Sequence, residues 1–186
     1  MSRPGYIMPP KPKLSPEAAS IGADSAFLRT CREVAGLSRD DLLAAAIARG
    51  CAHYAPLWPD LRPVNMAWLP HEALGCALLR GEADAATFQA IRCGVMVLSD
   101  QGNDPELIGL AATQFGVAGR VAHLAGLAFA ADSHALFWEQ VGHRLPPASP
   151  GDREFLPGVS RLVSETRRSG PGAGAARGWL RTDYRR

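Results

Sequence analysis

Between His71 and Leu145 the chain carries a single proline, Pro105, and apolar residues return there at intervals of three and four. That spacing puts side chains on one face of a helix, so the middle of the chain reads as a run of amphipathic helices. Phe88, Ile91, Val95 and Leu98 form the plainest such face and predict a helix from Glu82 to Ser99 with that face in the core. His71 to Arg80 is predicted helical just ahead of it. Asp104-Pro105 supplies an N-cap and a first-turn proline, opening a helical stretch from Glu106 to Ala131. Its four glycines, Gly109, Gly116, Gly119 and Gly126, each cost about 1 kcal/mol relative to alanine. The stretch is therefore either one helix whose small residues admit a close neighbour or two helices parted near Gly116. Asp132-Ser133 then caps a last core helix, His134 to Arg144, with Leu136, Phe137 and Val141 expected to close the core.

Similar signals mark the upstream part. Ser15-Pro16-Glu17 combines a cap, a first-turn proline and an acid at a helix N-terminus, predicting a helix from there to Ala35. Gly36 stops it, and Ser38 with Asp41 at capping-box spacing starts a second predicted helix, Arg39 to His53. From Pro56 to Pro70, four prolines interrupt a stretch holding Trp58, Met66 and Trp68. No regular helix survives there, and the expectation is an ordered loop pinned to the bundle by its aromatic residues. The fold expected is all-α, a single helical bundle of five or six helices over residues 15–145. It lies between a flexible Pro-rich arm, residues 1–14, and a Pro/Gly/Arg-rich tail, residues 146–186.

Composition narrows the class without naming an activity. A chain of 186 residues that is 47% hydrophobic and 20% charged is globular in type and long enough to bury a core without metal or disulfide staples. The net charge of +2 is uneven: residues 151–186 carry +4 and residues 1–150 carry −2. Cys31, Cys51, Cys76 and Cys93 lack CxxC spacing and are expected to be reduced core residues of a cytoplasmic protein. The first residues lack the apolar run of a secretory signal. Leu107 to Ala131 is interrupted by Gln114, Arg120 and His123, which favours a buried helix over a membrane span.

Motifs for chemistry are sparse. Cys51 and His53 point to opposite sides of a helix, His71 and Cys76 are poorly matched at five apart, and Glu139 with His143, at i and i+4, reads as a surface pair. There is no GxSxG elbow, and Gly170–Gly174 lacks the Lys-Ser/Thr of a phosphate loop. No cofactor, metal or catalytic residue is expected. Glu72–Ala77 and Glu106–Ala111 match loosely at an offset of 34 residues, as two helices rich in alanine and glycine can by chance.

The segment from Leu28 to Ala46 resembles the first helix, turn and start of the second helix in repressor-type helix-turn-helix domains. That resemblance implies a DNA-reading helix next, where the chain instead has Gly50 to Pro59. The tail mixes cations with aromatic side chains, a combination suited to an acidic partner groove or to nucleic acid. Arg167, Arg168, Arg177, Trp179, Arg181, Tyr184, Arg185 and Arg186 are the expected partner-binding residues. The function expected is a non-catalytic helical adaptor or assembly protein that binds a protein partner through its arms and exposed helix faces. The alternative is a nucleic-acid-associated regulator using segment 28–46 and the basic tail. Neither reading involves a membrane.

Overall fold

A computed structural model describes residues 16–81, 88–100, 102–130 and 135–154. Among these residues the chain forms α-helices joined by turns, loops and one 3-10 helix, with no strand. In chain order the helices are α1 (Pro16–Ala35), α2 (Arg39–Ala48), α3 (His71–Leu78), α4 (Phe88–Leu98), α5 (Pro105–Gln114), α6 (Ala118–Ala130), α7 (Ala135–Gly142) and α8 (Pro150–Glu154).

The start signals act as their chemistry dictates. At α2 the Asp41 N–H donates to the Ser38 hydroxyl oxygen and the Ser38 N–H donates to the Asp41 carboxylate, both at 3.1 Å, closing the capping box. Asp104 caps α5 by accepting from the Glu106 N–H at 2.8 Å. The stop of α2 comes earlier than His53, because Gly50 turns the chain at φ 121°, a backbone conformation open to glycine and costly for other residues. Ala52–Leu57 then continue as the 3-10 helix. The stretch from Glu106 to Ala131 is two helices. Gly116 at φ 70° ends α5, and the Gly116 and Val117 N–H groups donate to the carbonyls of Thr113 and Ala112.

Helices α3 and α4 form the centre. Every residue of α3 from Glu72 to Leu78 is buried, and α3 packs on α1, α2, α4 and α5. A Cβ built on Gly75 would lie 2.5 Å from Leu98 Cγ, and one on Gly94 would lie 2.9 Å from the Gly75 carbonyl oxygen. The two glycines thus let the α3 and α4 backbones meet. Ile91, Val95 and Leu98 face the core as expected; Phe88 of the same face has a side chain outside the described set, and so do residues 82–87. Glu72, only 7% exposed, accepts from the Asp104 N–H at 3.0 Å, which ties the first turn of α3 to the cap of α5 and compensates the buried carboxylate.

The proline-rich loop is pinned to the bundle. Trp58, Leu61 and Met66 pack against the core, the Val64 N–H donates to the Ala44 carbonyl at 3.3 Å, and the Arg49 guanidinium donates to the Met66 carbonyl. The two tryptophans divide: Trp58 is an anchor, whereas Trp68 is 49% exposed.

At the other end, α7 packs mainly on α6. Val141 is buried and Phe137 partly so, but Leu136 is 69% exposed, and the side chain that closes this end is Trp138 at 1%. The orientation of α7 on α6 places Leu136 outward and Trp138 inward. Within the stretch assigned to the tail, α8 forms on a second capping box: Ser149 Oγ donates to Asp152 Oδ2 at 2.6 Å and accepts from the Asp152 N–H at 3.2 Å. α8 packs on α6.

Candidate functional site

The face where α6 meets α7 holds an open groove of about 340 Å³. Ala122, Ala125 and Gly126 from α6 and Gly142 from α7 are among its lining residues. Small side chains at these positions keep it open. Gly126 has no described atom within 4 Å of an added Cβ, and Gly142 meets only Ala125 Cβ, at 3.7 Å. Trp138 contributes another wall; its Nε1 is buried without a hydrogen-bond partner among the described residues. Phe129, on the same lining, is 53% exposed. A large aromatic left in water beside a groove, together with an exposed Leu136, is apolar area that association would remove from solvent. On the rim Glu139 and His143 approach to 3.7 Å, the surface pair that their i, i+4 spacing predicts.

Next to the groove, α8 shows how this surface of α6 is covered elsewhere. Asp152 stands against Gly119, where an added Cβ would collide with the carboxylate. Donation from the Ser149 hydroxyl and N–H, helped by the positive charge of Arg120, holds the Asp152 carboxyl below its usual range. Half-buried His123, one turn along α6, has its pKa lowered by burial and by Arg153, against the opposing pull of Asp152. Arg120 also donates to the Leu79 carbonyl and, at 2.6 Å, to the Gly81 carbonyl, so α6 caps the C-terminal end of α3.

Other clusters have structural explanations. All four cysteines are free and buried. Burial pushes the Cys31 thiol up to about 11 and the Cys76 thiol well above its ordinary value; hydrogen bonding to Cys51, with burial, raises Cys93 as well. Cys76 and Cys51 donate weakly to the carbonyls of Ile108 and Cys93, both at 3.9 Å. Such thiols pack as small apolar groups and are poor nucleophiles. A second cavity, about 270 Å³, lies between Leu37, Arg39 and Leu42 on one side and Leu78 and Arg80 on the other. Arg39 is engaged by Asp40 at 3.7 Å, and Arg80 donates to the Ala35 carbonyl at 3.4 Å and lies over the Phe115 ring. Among the described residues no group of three potential metal ligands converges, and no helix is long and apolar enough to cross a membrane.

The segment resembling a helix-turn-helix does fold as helix, turn and capped helix. However, the residues of α2 from Leu42 to Ile47 are buried, and the next α-helix is α3, which is enclosed by its neighbours. Neither offers a polar face to a DNA groove. The partner-binding residues expected in the tail, from Arg167 to Arg186, lie outside the described residues. The α6–α7 groove is not anticipated by the sequence reading. Its one signal there is the spacing of Gly119 and Gly126, which seven residues return to nearly the same side of a helix.

Compared with models of known protein families, with curated proteins and with solved structures, the chain matches none.

Proposed function

We propose that the protein is a non-catalytic helical adaptor that binds a protein partner through the α6–α7 groove, with the aromatic and basic tail as a further contact. The observation that carries the reading is the pairing of an open, small-residue groove with half-exposed Phe129 at its edge. An aromatic anchor entering a partner is a common energetic centre of an interface. Outside the groove the four thiols are buried, and Arg120, Arg80 and Arg39 are engaged with a carbonyl, a ring and a carboxylate respectively. Reduced thiols fit a cytoplasmic setting.

Isothermal titration of the full chain with the protein that copurifies at low salt tests this reading. Removal of a buried aromatic anchor costs about 2 kcal/mol or more, so Phe129→Ala is expected to weaken the complex about thirtyfold. Unchanged affinity in Phe129→Ala, or sequence-selective duplex DNA binding that persists at about 200 mM salt, would overturn it.

A further inference from the structure

The cavity of about 270 Å³ opens where the turn between α1 and α2 meets the C-terminal end of α3 and the first turn of α4. Leu37, Leu42, Ala77, Leu78 and Ala90 give it an apolar lining, and Arg39 and Arg80 supply its charge. Among the described lining residues there is no acid. Its walls are fixed from several sides: the Leu37 N–H donates to the Val34 carbonyl at 3.0 Å, the Ser38–Asp41 capping box sets Arg39 at the first position of α2, and α3 packs on both α2 and α4. The last carbonyls of a helix repel an anion. Here those of Leu79 and Gly81 accept from Arg120, which offsets their negative charge beside the cavity.

Neither lining cation has its hydrogen-bonding capacity filled. Arg39, its side chain 52% exposed, meets Asp40 at 3.7 Å, longer than a hydrogen bond and a surface contact of small value. Arg80 gives one N–H to the Ala35 carbonyl at 3.4 Å and lies over the Phe115 ring. A guanidinium carries five N–H donors in a planar fork that matches the two oxygens of a carboxylate. For size, an apolar cavity of about 150 Å³ holds benzene, so this one has room for a short alkyl or aryl body.

We infer that this cavity binds a small amphipathic carboxylate, its apolar body against Leu42, Leu78 and Ala90 and its head on the side of Arg39 and Arg80. The inference is independent of the α6–α7 groove and adds a ligand to a protein read as an adaptor.

The test titrates the full chain with sodium octanoate, with hexanoate and with neutral 1-octanol, followed by amide chemical shifts and calorimetry. The expected result is saturable one-to-one binding of octanoate, with shifts concentrated at residues 37–42, 77–81 and 90. Each buried methylene is worth about fourfold in affinity, so hexanoate should bind about tenfold more weakly, and octanol, which lacks the charge, about tenfold or more weakly as well. Arg39→Gln should weaken octanoate about tenfold and leave octanol unchanged, a split that a general loss of structure would not produce. Arg39→Lys keeps the charge without the fork and should fall between. Absence of saturable binding, octanol as tight as octanoate, or Arg39→Gln binding octanoate as the parent does would overturn the inference. So would shifts centred on Gly126 and Phe129 that vanish in Gly126→Leu, which would put the ligand in the other groove.

Discussion

The α3–α4 centre and the α6–α7 flank use glycine to opposite ends. At the centre, Gly75 and Gly94 face each other and the neighbouring volume is taken by Leu98, Leu78 and the Gly75 carbonyl. On the flank, Gly126 leaves space that no described residue fills, next to a half-exposed phenylalanine, and an added Cβ on Gly142 would meet only Ala125 Cβ, at 3.7 Å. The same residue type closes a core in one place and holds a surface open in the other. The difference lies in what the chain brings opposite it. A glycine in a helix forfeits about 1 kcal/mol against alanine wherever it stands. At Gly94 the return is backbone contact in the core; at Gly126 the described residues supply no such return.

Substitutions at the two sites should therefore diverge. Gly94→Ala puts a methyl 2.9 Å from the Gly75 carbonyl oxygen and 3.0 Å from Leu78 Cβ, and the backbone cannot yield cheaply. Overpacking of this kind costs about 1–3 kcal/mol, which exceeds the gain in helix propensity. Urea unfolding should show a lowered midpoint with an unchanged slope. Gly126→Ala meets no described atom within 4 Å and should instead stabilise by about 0.5–1 kcal/mol. Destabilisation at Gly126, or stabilisation at Gly94, would break the contrast.

Gly119 lies between these extremes, because what an alanine would meet there is the end of a flexible side chain, Asp152. Gly119→Ala should leave global stability within about 0.5 kcal/mol while detaching α8, read as faster amide hydrogen exchange across residues 149–153 than in the parent protein. Unchanged exchange there would show that α8 is held by something other than its seat on Gly119.

The smallest effect expected is on pH dependence at the same junction. The pKa of His123 is lowered in the folded protein. As pH falls below about 6.5 the unfolded chain takes up the proton first, and stability declines toward the folded pKa. Asp152, also lowered, contributes stability that is present above its ordinary value of 3.8 and is lost as pH falls through the folded value. Both changes weaken α8 on acidification, in that order. Denaturant melts between pH 7.5 and about 2.5 should lose the decline near pH 6.5 in His123→Gln, with Asp152→Asn flattening only the limb below about pH 4.

The centre is far more legible in the sequence than the flank. Spacing alone identifies Ile91, Val95 and Leu98 as core, and the Ser38–Asp41 and Asp104–Pro105 signals locate two helix starts, because periodicity and caps are local in sequence. The early end of α2 escapes the pattern, since Gly50 competes with a periodicity that otherwise continues to His53. Spacing also puts Leu136 in the core and passes over Trp138: adjacent helical positions differ by about 100°, and only the orientation of α7 on α6 decides which faces in. The groove is illegible for the same reason. It belongs to two helices at once, and the spacing of neither records it.

The claim that the α6–α7 groove is the docking surface is tested most directly by comparing Gly126→Ala with Gly126→Leu in the full chain, each titrated with the copurifying protein. The alanine leaves most of the 340 Å³ open and should bind as the parent does. The leucine fills the floor without meeting any described atom at its Cβ, so it should fold normally and lose affinity about tenfold or more. Parent-like affinity in a folded Gly126→Leu protein would contradict the account.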